Sequence, residues 1–193
     1  MYRKYFSVTY SGSLDNVHKA WEKTESLIKA EVVFQSDEKQ KKYLQDMQLV
    51  VSEIFTNAVK YSNDDCIKFN YDFTKDFMNI IVETVGKGFC LKPHSLEKNL
   101  NNYEKEYYPP YHESIINKEI LIYRDSENEI RCFIKTENQL EFKHNKIEFQ
   151  EESISELNEH YGLYLINVLC DEVIYKKGKN EKQLFSIKKF INK

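Results

Sequence analysis

An α+β fold is the class this sequence predicts, and three observations predict it. An amphipathic helix, Leu49 to Ser62, stands between an alternating N-terminal strand and an alternating hairpin. A second apolar helical run, Leu163, Leu165, Ile166, Leu169 and Val173, comes late and is followed by a closing hairpin. The long spacer between them reads as strands rather than helices, so the order lacks the regular βαβ repeat of a parallel α/β domain. A chain of 193 residues, 41% apolar and 14% aromatic, can bury a sizeable core, and one domain spanning 1–193 is expected.

The elements follow in order. K-Y-F-S-V-T-Y alternates as a strand, Ser11-Gly12 makes a turn, and Ser13 caps a helix expected to carry Leu14, Val17, Trp21 and Ile28 inward. From Met47, apolar residues recur at Val50, Val51, Ile54, Phe55, Ala58 and Tyr61, the i, i+3, i+4, i+7 pattern of a helix. C-I-K-F-N-Y-D-F then alternates strictly, turns at Thr74 to Asp76, and returns as F-M-N-I-I-V-E-T straight into Gly86-Lys87-Gly88-Phe89. The insertion, 90–157, begins polar and tyrosine-rich. Its Tyr107-Tyr108-Pro109-Pro110-Tyr111 stretch cannot continue a helix and reads first as a packed loop and second as a docking segment. Two hairpins are expected next, one turning at Asp125 to Asn128 and one at His144-Asn145. Their strands would extend the main sheet or form a small subdomain over the site.

Chemistry concentrates on two features. Glu53, Asn57 and Lys60 lie at i, i+4 and i+7 and form a polar stripe along the apolar border of the helix. A carboxylate can accept a proton from an attacking hydroxyl. A carboxamide oxygen suits Mg²⁺, which prefers to share phosphate and water oxygens, and an ammonium can meet a phosphate. The same stripe also describes an ordinary surface helix. The glycines weigh against that reading: three of the five, Gly86, Gly88 and Gly162, sit beside the predicted site, where backbone must approach something closely. A glycine at a helix start also lets backbone N–H groups face an anion.

Composition narrows the classes further. A net charge of −3 argues against nucleic acid as the main partner. No apolar run approaches 18 residues and no signal-peptide pattern opens the chain, so a cytoplasmic protein outside the membrane is expected. Cys66, Cys90, Cys132 and Cys170 are scattered without a C-x-x-C pair, which suggests reduced thiols rather than zinc or disulfides.

Taken together, these residues resemble the ATPase superfamily of gyrase, the heat-shock-90 chaperones, the histidine kinases and the mismatch-repair ATPases. The likeness is strongest to the anti-sigma-factor serine kinases. The family's E-x-x-x-N-A box matches Glu53, Asn57 and Ala58; its D-x-G-x-G-F box matches Thr84, Gly86, Gly88 and Phe89; its G-x-G-L-x-L-I box matches His160, Gly162, Leu163, Leu165 and Ile166. The resemblance covers roughly 1–89 and 157–190. It implies a two-layer α/β sandwich, a mixed sheet with helices on one face, and the β-rich insertion before the last helix. It also implies ATP and Mg²⁺ as cofactors, Glu53 as general base, Asn57 as the Mg²⁺ ligand and Lys60 on phosphate. Gly86, Gly88 and Phe89 would form the loop beside the nucleotide, with Gly162 and Leu163 closing on the phosphates. Several anti-sigma kinases dimerise through the N-terminal end, so a homodimer is implied too, with a sigma factor or antagonist-like protein as partner.

Two residues depart from the family pattern. Thr84 replaces the aspartate that accepts a hydrogen bond from the adenine amino group, and Glu83, one residue away, belongs on the opposite face of the strand. His160 replaces a glycine. The sequence therefore supports an ATP-dependent serine kinase first, and second a partner-binding module on the same fold without turnover. A split histidine kinase comes last, because no dimerising phospho-acceptor helix is present.

Overall fold

The computed structural model of the chain describes residues 2–63, 65–97, 106–148 and 161–192. The strands are β1 (Arg3–Ser11), β2 (Cys66–Thr74), β3 (Phe77–Val85), β4 (Glu119–Arg124), β5 (Asn128–Thr136), β6 (Gln139–Lys146), β7 (Glu172–Lys177) and β8 (Lys182–Phe190). The helices are α1 (Val17–Glu31), α2 (Asp37–Tyr61) and α3 (Tyr161–Leu169). All eight strands share one sheet in the order β1-β2-β3-β8-β7-β6-β5-β4. Every pairing in it is antiparallel, which corrects the expected mixed sheet. Each β-hairpin connection forces that sense on its neighbours, and β3 meets β8 the same way.

α2 shows how sequence sets an element. Ser36, extended at φ −155, accepts a hydrogen bond from the Lys39 N–H, and Asp37 and Glu38 fill the first turn, where carboxylates favour the positive end of the helix dipole. Tyr43, Met47, Val50, Val51, Ile54 and Phe55 are buried at helical spacing. Phe55 packs on Phe69 of β2 and edge-on to Tyr10 of β1. The Tyr43 hydroxyl donates to the Lys189 carbonyl of β8 at 3.3 Å. α1 joins the same core through Trp21, Leu27 and Ile28, and Thr24 shares a 2.8 Å hydrogen bond with the Tyr71 hydroxyl of β2. Leu14 does not join them. It stands in a short 3-10 turn ahead of α1, capped by Ser13, and is exposed, which corrects its expected inward placement.

The insertion extends the main sheet. β4 and β5 form the expected hairpin, with the Asp125 carboxylate accepting the Glu127 and Asn128 N–H groups at its turn. The second hairpin is corrected: His144 and Asn145 do not turn but lie inside β6, paired with Ile130 and Glu129 of β5. The reversal falls one strand-length earlier, between Thr136 and Gln139. Phe149, the last residue of that expected hairpin, lies outside the described residues. β6 then joins β7 through Gln139 to Phe142.

β4 ends the sheet yet buries Ile120, Leu121, Ile122 and Tyr123. Its outer edge is met by the loop before it: the Glu97 carboxylate accepts the Leu121 N–H, and the His94 N–H donates to the Leu121 carbonyl at 2.8 Å. Covering an edge in this way removes a template for pairing with another chain.

Candidate functional site

A cavity of about 500 Å³ lies between α2, α3 and the sheet, within the range of small-molecule and cofactor sites. Its floor is built by strand register. Val82 and Thr84 of β3 stand opposite Phe185 and Gln183 of β8, and Tyr175 of β7 pairs with Phe185. All five side chains line the cavity. Glu83 points away and pairs with Lys182 at 2.7 Å, as strand alternation requires.

The helices supply the opposite wall. Glu53, Asn57 and Lys60 of α2 line it together with Gly162, Leu163 and Ile166 of α3. Glu53 and Asn57 are half-buried, one helical turn apart, while Lys60 is exposed with its ammonium 5.0 Å from the Tyr61 ring centre. Tyr61, expected on the apolar face, is exposed at the cavity instead. α3 crosses at Gly162: a Cβ there would stand 2.4 Å from Glu53 Oε2 and 3.7 Å from Asn57 Nδ2. The bare Cα is what lets the Glu53 carboxylate lie against the first turn of α3.

The glycine loop divides its work. Gly88 lines the cavity at φ +111, a backbone region that L side chains rarely adopt. It also packs on the insertion, because a Cβ would stand 2.4 Å from Pro109 Cγ and 3.0 Å from the Tyr175 hydroxyl. Phe89 lines the cavity, packs edge-on to Phe142 and at a tilt against Tyr175, and accepts the Tyr111 hydroxyl on its carbonyl at 2.9 Å. The tyrosine-rich segment is thus a packed loop: Pro109 and Tyr111 are buried and Tyr107 bridges to Leu91. Gly86 is the one candidate residue that does not line the cavity. It is buried behind Gln183, whose Nε2 occupies the space a side chain would need, and its carbonyl accepts the Lys177 ammonium.

Several lining residues had no motif to announce them. Gln183, Tyr175 and Phe185 reach the floor only through the β3–β8 and β8–β7 registers. Lys87, Cys90, Lys92 and Tyr108 line the mouth, where Lys92 pairs with Glu106 at 3.1 Å. Burial pushes the Cys90 thiol up, which favours its protonated form. Burial likewise raises the Tyr175 phenol to about 12, which keeps it neutral. The four cysteines are free thiols. Among the described residues no three His, Cys, Asp or Glu side chains group to hold a metal. A divalent ion at Asn57 would therefore need oxygens from its ligand. His160 lies outside the described residues, and no helix among them is long and apolar enough to cross a membrane.

No curated protein matches the chain significantly. The family model of the histidine kinase-like ATPase domain matches residues 11–188, from the end of β1 into β8 and across both walls of the cavity. With Glu53, Asn57 and Gly162 meeting over one floor, and the match spanning nearly the whole chain, this protein belongs to the histidine kinase-like ATPase domain family.

Proposed function

We propose that the protein is an ATP-binding regulator of the anti-sigma-factor serine kinase kind, which holds a sigma factor or similar regulator and phosphorylates a serine on a small antagonist protein. The observation that carries the reading is the meeting of Glu53, Asn57 and Gly162 at one end of the cavity. The donor set fits Mg²⁺-ATP: a carboxamide oxygen for the ion, a carboxylate for a proton, lysines at Lys60 and Lys87 for phosphate, and an aromatic, half-apolar floor for a base. Glu53 accepts the proton of the serine hydroxyl, and Asn57 holds the ion. Mg²⁺, when bound there, would supply charge compensation for the phosphates. The helices and the sheet would form two layers around this site, and a homodimer would form through the N-terminal end.

A second reading, a partner-binding module without turnover, is favoured by the neutral floor at Thr84. Calorimetric titration with ATP and ADP, with and without Mg²⁺, separates the two. Mg²⁺-dependent binding at micromolar strength supports the kinase. No heat and no thermal stabilisation at millimolar nucleotide supports the module.

Two substitutions probe the site further. Thr84→Asp restores a charged acceptor and is expected to tighten ATP binding about tenfold, within the 1–3 kcal/mol of a charge-assisted hydrogen bond. Unchanged affinity would mean that another residue reads the base. Gly162→Ala places a methyl where the Glu53 carboxylate now lies. That carboxylate ends a flexible side chain and can swing aside, while alanine favours the helix by up to about 1 kcal/mol. Turnover is expected to fall at least tenfold with the melting temperature unchanged or slightly raised. A parallel loss of both would show a packing defect instead.

A further inference from the structure

A second, smaller cavity of about 250 Å³ lies at the far ends of the helices that wall the first, between α2, the end of α3 and the end of β8. Lys189 lines it from β8, in the same inward-facing row as Gln183, Phe185 and Ile187. A lysine in such a row must find partners, and the side chain of this one is 14% exposed. Its ammonium lies 3.1 Å from Asp46 Oδ2 of α2 and 2.5 Å from the carbonyl of Leu169, the last residue of α3. The Tyr43 ring centre stands 5.4 Å from it. One cation thus joins the sheet, α2 and the C-terminal end of α3, where a positive charge also meets the negative end of the helix dipole.

The spacing of the two helix ends gives this link its meaning. Asp46 and Glu53 are seven residues apart on one face of α2, and Gly162 and Leu169 are seven apart on α3. At 1.5 Å per residue both intervals are about 10 Å, so α3 is held antiparallel on α2 at two matching points. The near point admits one register. Gly162 is the one glycine of α3, and a shift by one residue would set the Cβ of Tyr161 or Leu163 against the Glu53 carboxylate. α3 itself supplies little to hold that register. Its apolar side chains, Leu, Ile and Val, bury without directional preference, and its one amide, Asn167, is turned back on the Leu163 carbonyl. Asp171, just beyond, ties the exit of the helix to β8 by accepting the Phe190 N–H at 2.8 Å. Lys189 carries the tie across to α2.

We propose that Lys189 and Asp46 are a positioning pair that sets the register of α3 on α2 and so holds Gly162 against Glu53. The inference rests on the nucleotide reading above and concerns how that site is kept in order from its far side. Neither residue lines the nucleotide cavity; both act through α3.

The test compares full-length wild type with two variants. Asp46→Asn combined with Lys189→Met removes both charges at once, so that no buried ion loses its partner. Lys189→Arg keeps the cation and its donors. Each is read by amide hydrogen exchange along the helices, ATP hydrolysis, calorimetric titration with Mg²⁺-ATP, and melting temperature without ligand. The double variant is expected to exchange the α3 amides about tenfold faster or more while those of α1 keep their rates. Its kcat for hydrolysis should fall about tenfold or more, with Mg²⁺-ATP affinity within about threefold of the wild type. Lys189→Arg should return exchange and kcat to within about threefold of the wild type. Faster exchange spread evenly over α1, α2 and α3, with a matching fall in melting temperature, would show a general loss of stability and overturn the inference. Wild-type exchange at α3 in the double variant overturns it too, and leaves the ATP reading standing. If the wild type itself hydrolyses no ATP, the turnover reading fails on its own, and exchange at α3 still decides whether the pair holds the helix.

Discussion

Glu53→Ala is expected to leave Mg²⁺-ATP affinity within about threefold of the wild type while lowering phosphoryl transfer about 10²- to 10⁴-fold, the usual contribution of a positioned general base. The geometry separates the two effects. Glu53 sits at the α2–α3 end of the cavity, against the Gly162 Cα, whereas the floor that would receive the base is built from β3, β7 and β8. Removing a carboxylate near phosphate also removes a like charge, so binding should not suffer. Glu53→Gln is the cleaner companion, because it keeps the shape that Gly162 accommodates and deletes only the basicity. The rates are read by labelled γ-phosphate transfer to a candidate serine-bearing protein, or by hydrolysis of ATP where none is supplied. Normal transfer by either variant would remove Glu53 from the chemistry, whereas no transfer by the wild type would favour the binding module.

The largest stability effect is expected at Gly88. Gly88→Ala forces a side chain into φ +111, which costs about 1–3 kcal/mol, and drives its Cβ to 2.4 Å from Pro109 Cγ. Pro109 is buried and ring-locked, so it cannot swing aside as a carboxylate can. A total near 3 kcal/mol lowers the melting temperature of a chain this size by about 6–12 °C. Scanning calorimetry measures it, and the double variant with Pro109→Ala apportions it, since trimming the proline relieves the overlap and leaves the backbone strain. A shift below about 2 °C would mean that the loop relaxes freely and does not clamp the insertion.

Periodicity made much of this molecule legible. The 3.6-residue stripe from Met47 gave α2, and strict alternation gave β2 and β3 with the turn between them. Glu53 and Asn57 share a cavity because helical spacing is local. What could not be read is long-range register. His144-Asn145 looked like a turn because two polar residues interrupt an alternating run; pairing with β5 holds them in a strand instead. Gln183 lies in a segment recognisable as a closing strand, yet only the β3–β8 pairing sets it opposite Thr84. Gly86 and Gly88 were both expected beside the ligand, but a glycine in sequence does not say which neighbour claims its space. For Gly86 it is Gln183, and for Gly88 it is Pro109 and Tyr175 as well as the cavity. Leu14 failed for a smaller reason, since the 3-10 turn rotates it off the face of α1.

The order of strands carries a consequence for how the chain is made. β1-β2-β3 and β4-β5-β6 are each runs of neighbours in sequence, and the last hairpin, β7-β8, is inserted between them as a keystone. Until it emerges from the ribosome, two three-stranded pieces wait with open inner edges, on β3 and on β6, and the cavity has only part of its floor. Nucleotide can therefore join only at the end of synthesis. A chain cut before Glu172 should gather as paired fragments rather than as a weakened version of the whole.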